Sequence, residues 1–302
     1  MLNIHQKFCR ETFYDGKLVD FKPVYQDNFN FAYDVIDVIA QAEPERRAML
    51  WCNDKGEEHT FTFSDLEKYS NRAANLFTKL GIGRGDTVVL ILKRHYEFWF
   101  ALLGLHKVGA VGIPATNLLT KKDLVYRFNA AHVKGIICTT DGEVMDHADA
   151  AFPESPTVKV KIGVHGAHEG WVDFSKELES QPDSFERAET SAADPMLLYF
   201  TSGTTGMPKM VWHDYTYPIA HIMTAKYWHN VVPDGLHLTL SDTGWMKAMW
   251  ASCMDSGLWR REFLSVTLTS LHPLSCCPCL RNTTSPLSAH LLPCTAFSSR
   301  RI

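Results

Sequence analysis

Apolar residues recur at helical spacing from Phe31 to Ala42, whereas His59 to Phe63 alternates polar and apolar as a half-buried strand does. The strongest helix signal follows. Ser64 is placed to cap the free amides, Glu67 stands three residues on as a capping box requires, Leu66, Ala73, Leu76 and Leu80 continue the apolar positions, and Gly81 can end the helix. After a turn at Gly83–Asp86, Thr87 to Leu92 is β-branched and apolar on both faces, which predicts a central strand covered by helices on each side. Glu97 to Lys107 and Lys122 to Ala131 read as helices, and Ala110 to Ile113, Gly135 to Cys138 and Met196 to Phe200 as strands. Such alternation predicts an α/β fold with parallel pairing. The stretch Asp141 to Asp194 is more polar, contains strand-like Val158 to Val164, and reads as peripheral.

Composition narrows the partners. In 302 residues, 45% hydrophobic side chains are enough for a sizeable core, and the formal charge of −4 arises from mixed signs without a long run of either. That excludes the electrostatic footprint of a nucleic-acid or anionic-membrane binder and leaves a small-molecule partner as the expectation. No apolar stretch is long enough to span a membrane, and the first twenty residues carry acidic groups where a secretory signal would be apolar, so a cytoplasmic protein is expected. Single cysteines such as Cys9, Cys52 and Cys138 fit reduced thiols. Arg84-Gly85-Asp86, an adhesion tripeptide by composition, reads as the turn into the next strand.

The chemistry concentrates in Thr201-Ser202-Gly203-Thr204-Thr205-Gly206-Met207-Pro208-Lys209, which leaves the apolar strand Met196–Phe200 directly. Gly203 and Gly206 allow backbone amides to approach phosphate oxygens; Thr201, Ser202, Thr204 and Thr205 add hydroxyl donors; Lys209 adds a positive charge on an arm stiffened by Pro208. A plain polar turn does not account for six such residues in succession followed by Pro-Lys. A Walker A loop fails at two positions, because Pro208 stands where its second glycine belongs and Met210 where Ser or Thr belongs.

The loop resembles the phosphate-binding signature of the adenylate-forming superfamily. Phe29–Ala32, the turn and strand Leu80–Val89, Tyr126-Arg127 and Ser241-Asp242-Thr243-Gly244-Trp245 resemble the medium-chain acyl-CoA synthetases more narrowly, over residues 28–250. The resemblance implies the amino-terminal part of a synthetase large domain, with layered sheets and covering helices, and a two-step ligase that consumes ATP, a carboxylic acid and coenzyme A. It places Thr201, Ser202, Gly203, Thr204, Thr205, Gly206 and Lys209 on the β- and γ-phosphates with Mg2+ bridging them, and Trp245 near the acyl pocket. Trp245 read alone is equally a core aromatic, while His213 and Asp242 read first as hydrogen-bonded structural residues.

Residues 1–27 are expected to form an extension, 28–250 a truncated synthetase domain, and 251–302 a disordered tail. The family's Tyr-Gly-x-Thr-Glu segment, its ribose-binding aspartate and the lysine of its small carboxy-terminal domain are not found, so no complete catalytic set is expected. From Ala251 the chain lacks lysine and sustained periodicity. For one coding possibility of Gly-Lys-Leu-Tyr-Gly-Gln-Trp, a stretch common in the resembled family after this tryptophan, loss of the first base yields Ala-Ser-Cys-Met-Asp-Ser, the residues at 251–256. An out-of-frame tail is therefore the expectation. Cys276, Cys279, His290 and Cys294 have spacings that can ligate zinc, but the surrounding prolines and lack of an apolar scaffold argue against it. Acyl chain length and oligomeric state leave no mark in the sequence.

Overall fold

A computed structural model describes residues 3–53, 55–201, 206–229, 231, 236–239, 241–254, 257, 262–267 and 287–290. After a short helical turn at Ile4–Lys7 comes a hairpin, β1 (Cys9–Tyr14) and β2 (Lys17–Pro23), turning through Asp15 and Gly16, both with positive φ. It lies within the expected amino-terminal extension, residues 1–27. A wide helical turn, Ala32–Asp37, then runs into α1 (Val38–Ala42), followed by β3 (Arg47–Asn53), β4 (Glu58–Thr62) and α2 (Phe63–Lys79).

The capping box of α2 lies two residues before the expected one. Thr62 Oγ1 accepts from Asp65 N–H at 3.1 Å and Asp65 Oδ2 accepts from Thr62 N–H at 2.8 Å. Phe63 is 1% exposed and belongs to the core, so helix formation starts there and leaves Ser64 inside the first turn. Gly81, at φ +80°, closes the helix as expected.

The main sheet grows from β5 (Thr87–Ile91), α3 (Glu97–Val108), β6 (Val111–Pro114), α4 (Lys121–Ala130), β7 (Gly135–Thr139), α5 (Val144–Ala151), β8 (Val160–Val164), β9 (Val172–Asp173), β10 (Pro195–Thr201) and β11 (Lys209–Asp214). Its order is β11-β10-β6-β5-β7-β8-β9, parallel except for β11 against β10. Every residue of β5 is buried, as both-face coverage requires. Val88 and Leu90 join the core with α2 and α3, while Val89 and Ile91 face Leu124 and Phe128 of α4 and Met145 of α5. The polar stretch after Asp141 supplies β8 and β9 at the sheet's edge, and Arg84 of the Arg-Gly-Asp turn pairs with Asp194 at 2.9 Å.

A second sheet lies across α2 and α3. Its order is β14 (Leu287–His290), β12 (Leu236–Thr239), β13 (Glu262–Thr267), β3, β4. Helix α3 is thus enclosed on both sides, and all twelve of its residues are buried. Gly104 allows its close approach to α2: a Cβ there would come within 2.6 Å of Ala73 Cβ. The tail contributes to this layer. Residues 262–267 form a strand parallel to β3, with the Phe263 ring 4.9 Å from that of Trp99. Cys276, Cys279 and Cys294 of the zinc-like spacing lie outside the described residues. No group of three or more metal-binding side chains occurs among the described residues. No described helix is long and apolar enough to cross a membrane.

Candidate functional site

Parallel strands leave their carboxyl ends on one edge, and an open α/β sheet receives ligands there. The ends of β5, β6 and β10 place Lys93 and Arg94, Ala115 and Thr116, and Thr201 along that edge. Strand β11 returns antiparallel, pairing Lys209 with Thr201, so the two ends of the glycine-rich loop meet at the sheet's rim. Thr201 Oγ1 donates to Lys209 O at 3.4 Å across this mouth. Ser202, Gly203, Thr204 and Thr205 lie outside the described residues. Gly206 has φ +86° with open space where a side chain would be, a conformation that favours glycine.

Helix α4 supports the loop from below the edge. Tyr126 donates its hydroxyl to Pro208 O at 2.8 Å, and the Arg127 guanidinium lies 5.2 Å from the Phe200 ring centre. These adjacent residues therefore touch the chain just before Lys209 and just before Thr201.

The Ser241–Trp245 turn docks on the same edge, more than thirty residues after the loop. Asp242 Oδ1 accepts from Gly244 N–H at 2.9 Å and Oδ2 lies 3.9 Å from Arg94 Nε. Burial raises the Asp242 pKa, against the pull of the Gly244 amide and of Arg94 and Lys93. Thr243 donates its hydroxyl to Lys93 O. A Cβ on Gly244 would come within 2.5 Å of the Ala115–Thr116 backbone, so glycine permits this contact. Asp242 is thus a turn-forming residue at the edge. Trp245 is 60% exposed, which sets aside its reading as a core aromatic and leaves its indole available at the turn's end.

His213 sits on β11 beside Tyr217, ring centres 4.1 Å apart, and Tyr199, 5.9 Å away. Burial lowers its pKa, against the pull of Asp214. The sequence reading missed a polar group farther along the same edge. His95 Nε2 lies 3.1 Å from Thr139 Oγ1, its ring 4.1 Å from that of His165, and His165 Nε2 pairs with Glu97 Oε2 at 3.1 Å. Desolvation, then His165, lowers the His95 pKa to about 4, whereas the Glu97 hydrogen bond raises that of His165. Its members follow three different strands, so only their common position at carboxyl ends would have signalled it.

Comparison with known proteins bears on what this edge serves. A family model described as AMP-binding enzyme matches residues 36–254. Acyl-coenzyme A synthetase ACSM4, mitochondrial, of Mus musculus is 37% identical over 239 residues, covering 76% of this chain and 41% of that protein. Acyl-coenzyme A synthetase ACSM5, mitochondrial, of Rattus norvegicus is 36% identical over 230 residues, covering 74% and 39%. The crystal structure of an acyl-CoA synthetase from Brucella canis superposes with a TM-score of 0.71 at 20% identity, covering 80% of this chain and 44% of that one. That of the anthranilate CoA ligase AuaEII with anthranoyl-AMP gives 0.69 at 19%, covering 80% and 46%. These two likenesses speak for the fold, that of the amino-terminal domain of acyl-CoA ligases. The chain spans about two fifths of the length of the curated relatives it matches. Their names place them in mitochondria and give the expected cytoplasmic location no support. Matched over residues 36–254, and resembling medium-chain acyl-CoA synthetases in sequence and their large domain in fold, the chain belongs to the AMP-binding enzyme family.

Proposed function

We propose that residues 201–209 hold the β- and γ-phosphates of ATP in an acyl-CoA synthetase reaction on a medium-chain or similar carboxylic acid. The observation that carries this reading is the strand–loop–strand mouth at the carboxyl edge, with Thr201 opposite Lys209 and a positive-φ Gly206 between them. Amides and hydroxyls of the loop donate to phosphate oxygens, and the Lys209 ammonium balances their charge. In the first step a carboxylate oxygen bonds to the α-phosphorus and pyrophosphate leaves. In the second, the coenzyme A thiol sulfur bonds to the acyl carbon and AMP leaves. Mg2+ arriving with ATP would offset the negative charge that builds in the first step.

Within that reaction the Ser241–Trp245 turn forms the wall on the acyl side, with the exposed Trp245 indole offering apolar surface to the chain of the acid. A phosphate loop alone does not orient carboxylate, ribose and thiol together. A second reading follows: this chain by itself binds the polyphosphate of a nucleotide without completing turnover. Pyrophosphate release from ATP, Mg2+, octanoate and coenzyme A separates the two. Release that disappears in Lys209→Ala supports full turnover; nucleotide binding without release supports the second reading. Failure of ATP to bind at all overturns both.

A further inference from the structure

Holding a triphosphate requires more than donors. Groups held in place before a ligand arrives need not be ordered by it, so whatever fixes the loop's arms beforehand raises affinity. In this chain the arms are fixed from outside the hairpin. Tyr126 Oη donates to Pro208 O at 2.8 Å, bridging 82 positions of sequence, and its ring lies 6.1 Å from that of Phe200. Arg127, the next residue, places its guanidinium 5.2 Å from the centre of the same Phe200 ring. Phe200 and Pro208 are the residues immediately before the two ends of the mouth, Thr201 and Lys209.

The element that carries both contacts is stiff. Thr120 and Asp123 form a capping box at the start of α4, Leu124 and Phe128 are 0% exposed in the core, and Arg127 donates to Asp123 O at 3.1 Å. Pro208 lies just beyond the last β10–β11 pair, Thr201 with Lys209, so its carbonyl is outside the ladder and available to a side chain. Since proline also fixes its own φ, anchoring this one carbonyl sets the direction in which Lys209 enters β11.

We propose that Tyr126 is a positioning residue for polyphosphate: its hydroxyl holds the return arm of the loop so that the 206–209 backbone and the Lys209 ammonium are aimed before the ligand arrives, with Arg127 steadying the entry arm through Phe200. This rests on the phosphate reading of residues 201–209 given above. It assigns to α4 a part in binding that involves no contact with the ligand.

The full chain and its Tyr126→Phe variant test it, since phenylalanine keeps the ring and removes only the hydroxyl. Inorganic tripolyphosphate is titrated into each by calorimetry, and amide hydrogen exchange is followed at Met207, Lys209 and Met210. The variant is expected to bind tripolyphosphate about fivefold more weakly, the size of one lost hydrogen bond, and to exchange those amides faster. A hydroxyl with a merely structural role would lower the unfolding midpoint while leaving affinity and loop exchange as in the parent chain, and that result overturns the proposal. A parent chain that does not bind tripolyphosphate would instead remove the phosphate reading itself, and the proposal with it; the parent titration alone tells these failures apart.

Discussion

Lys107 is fully buried at the end of α3, with Nζ donating to Asp37 Oδ1 at 2.8 Å and Asn71 Oδ1 at 2.6 Å. Replacing it with methionine keeps the aliphatic stem and removes the charge. Asp37 would then be a buried carboxylate without its cation, and Asn71 would lose a donor. Breaking a buried pair from one side costs about 3–5 kcal/mol. Removing both charges with Lys107→Met and Asp37→Leu together is expected to recover most of that, because two desolvation costs disappear with the attraction. In urea, with a slope of about 3 kcal/mol per molar, the single variant's midpoint falls by about 1–1.7 M and the double variant's by less than half as much. The reasoning is refuted if the single changes each cost under about 1 kcal/mol and simply add. The pair matters to the site because α3 connects β5 to β6, whose carboxyl ends present Lys93, Arg94, Ala115 and Thr116.

Three other outcomes follow from the same geometry. Burial raises the pKa of Asp37 from its ordinary 3.8 to about 6 despite the pull of Lys107; the folded chain then binds that proton more tightly, so this group's contribution falls as pH rises from about 4 to 6 and levels off above. Urea titrations of the parent chain and Asp37→Asn across pH 4–7 should differ in slope over that window alone. Gly104→Val forces a side chain against Ala73, where a Cβ already meets its neighbour at 2.6 Å, and should cost about 1–3 kcal/mol by thermal unfolding. Thr62→Ala removes one half of the capping box and should cost about 1 kcal/mol, whereas Ser64→Ala should cost less than half of that.

Local pattern revealed what local forces decide. The strand Thr87–Ile91, the helix Glu97–Val108 and the β10 strand into the loop all follow from runs and turn residues within a dozen positions. The α2 cap was misplaced because Thr62-Phe63-Ser64-Asp65-Leu66-Glu67 offers two overlapping boxes, and burial of Phe63 chooses between them. Lys107 was unreadable for a longer-range reason. A lysine near a helix end ordinarily reaches water, but here the helical turn Ala32–Asp37 and α2 bring Tyr33, Asp37 and Asn71 onto its ammonium, from 36 to 74 positions away in sequence. The glycine-rich loop announced itself by composition, whereas the contacts of Tyr126, Arg127 and Gly244 depend on which elements the sheet order brings together.

That sheet order also explains why one edge gathers the candidate chemistry. Parallel crossovers return every strand in the same direction, so loops after β5, β6, β7, β8 and β10 all open on one side, and residues between 93 and 201 converge there without being near in sequence. Strand β11 runs the other way, and this reversal brings Lys209 back beside Thr201 at the mouth of the loop. The antiparallel pair fixes the width of that mouth, but it leaves Pro208 O outside the ladder. Helix α4, packed beneath the sheet by Leu124 and Phe128, reaches that atom through Tyr126. Phosphate affinity in this chain is therefore expected to respond to substitutions on α4 as well as to those in the loop itself.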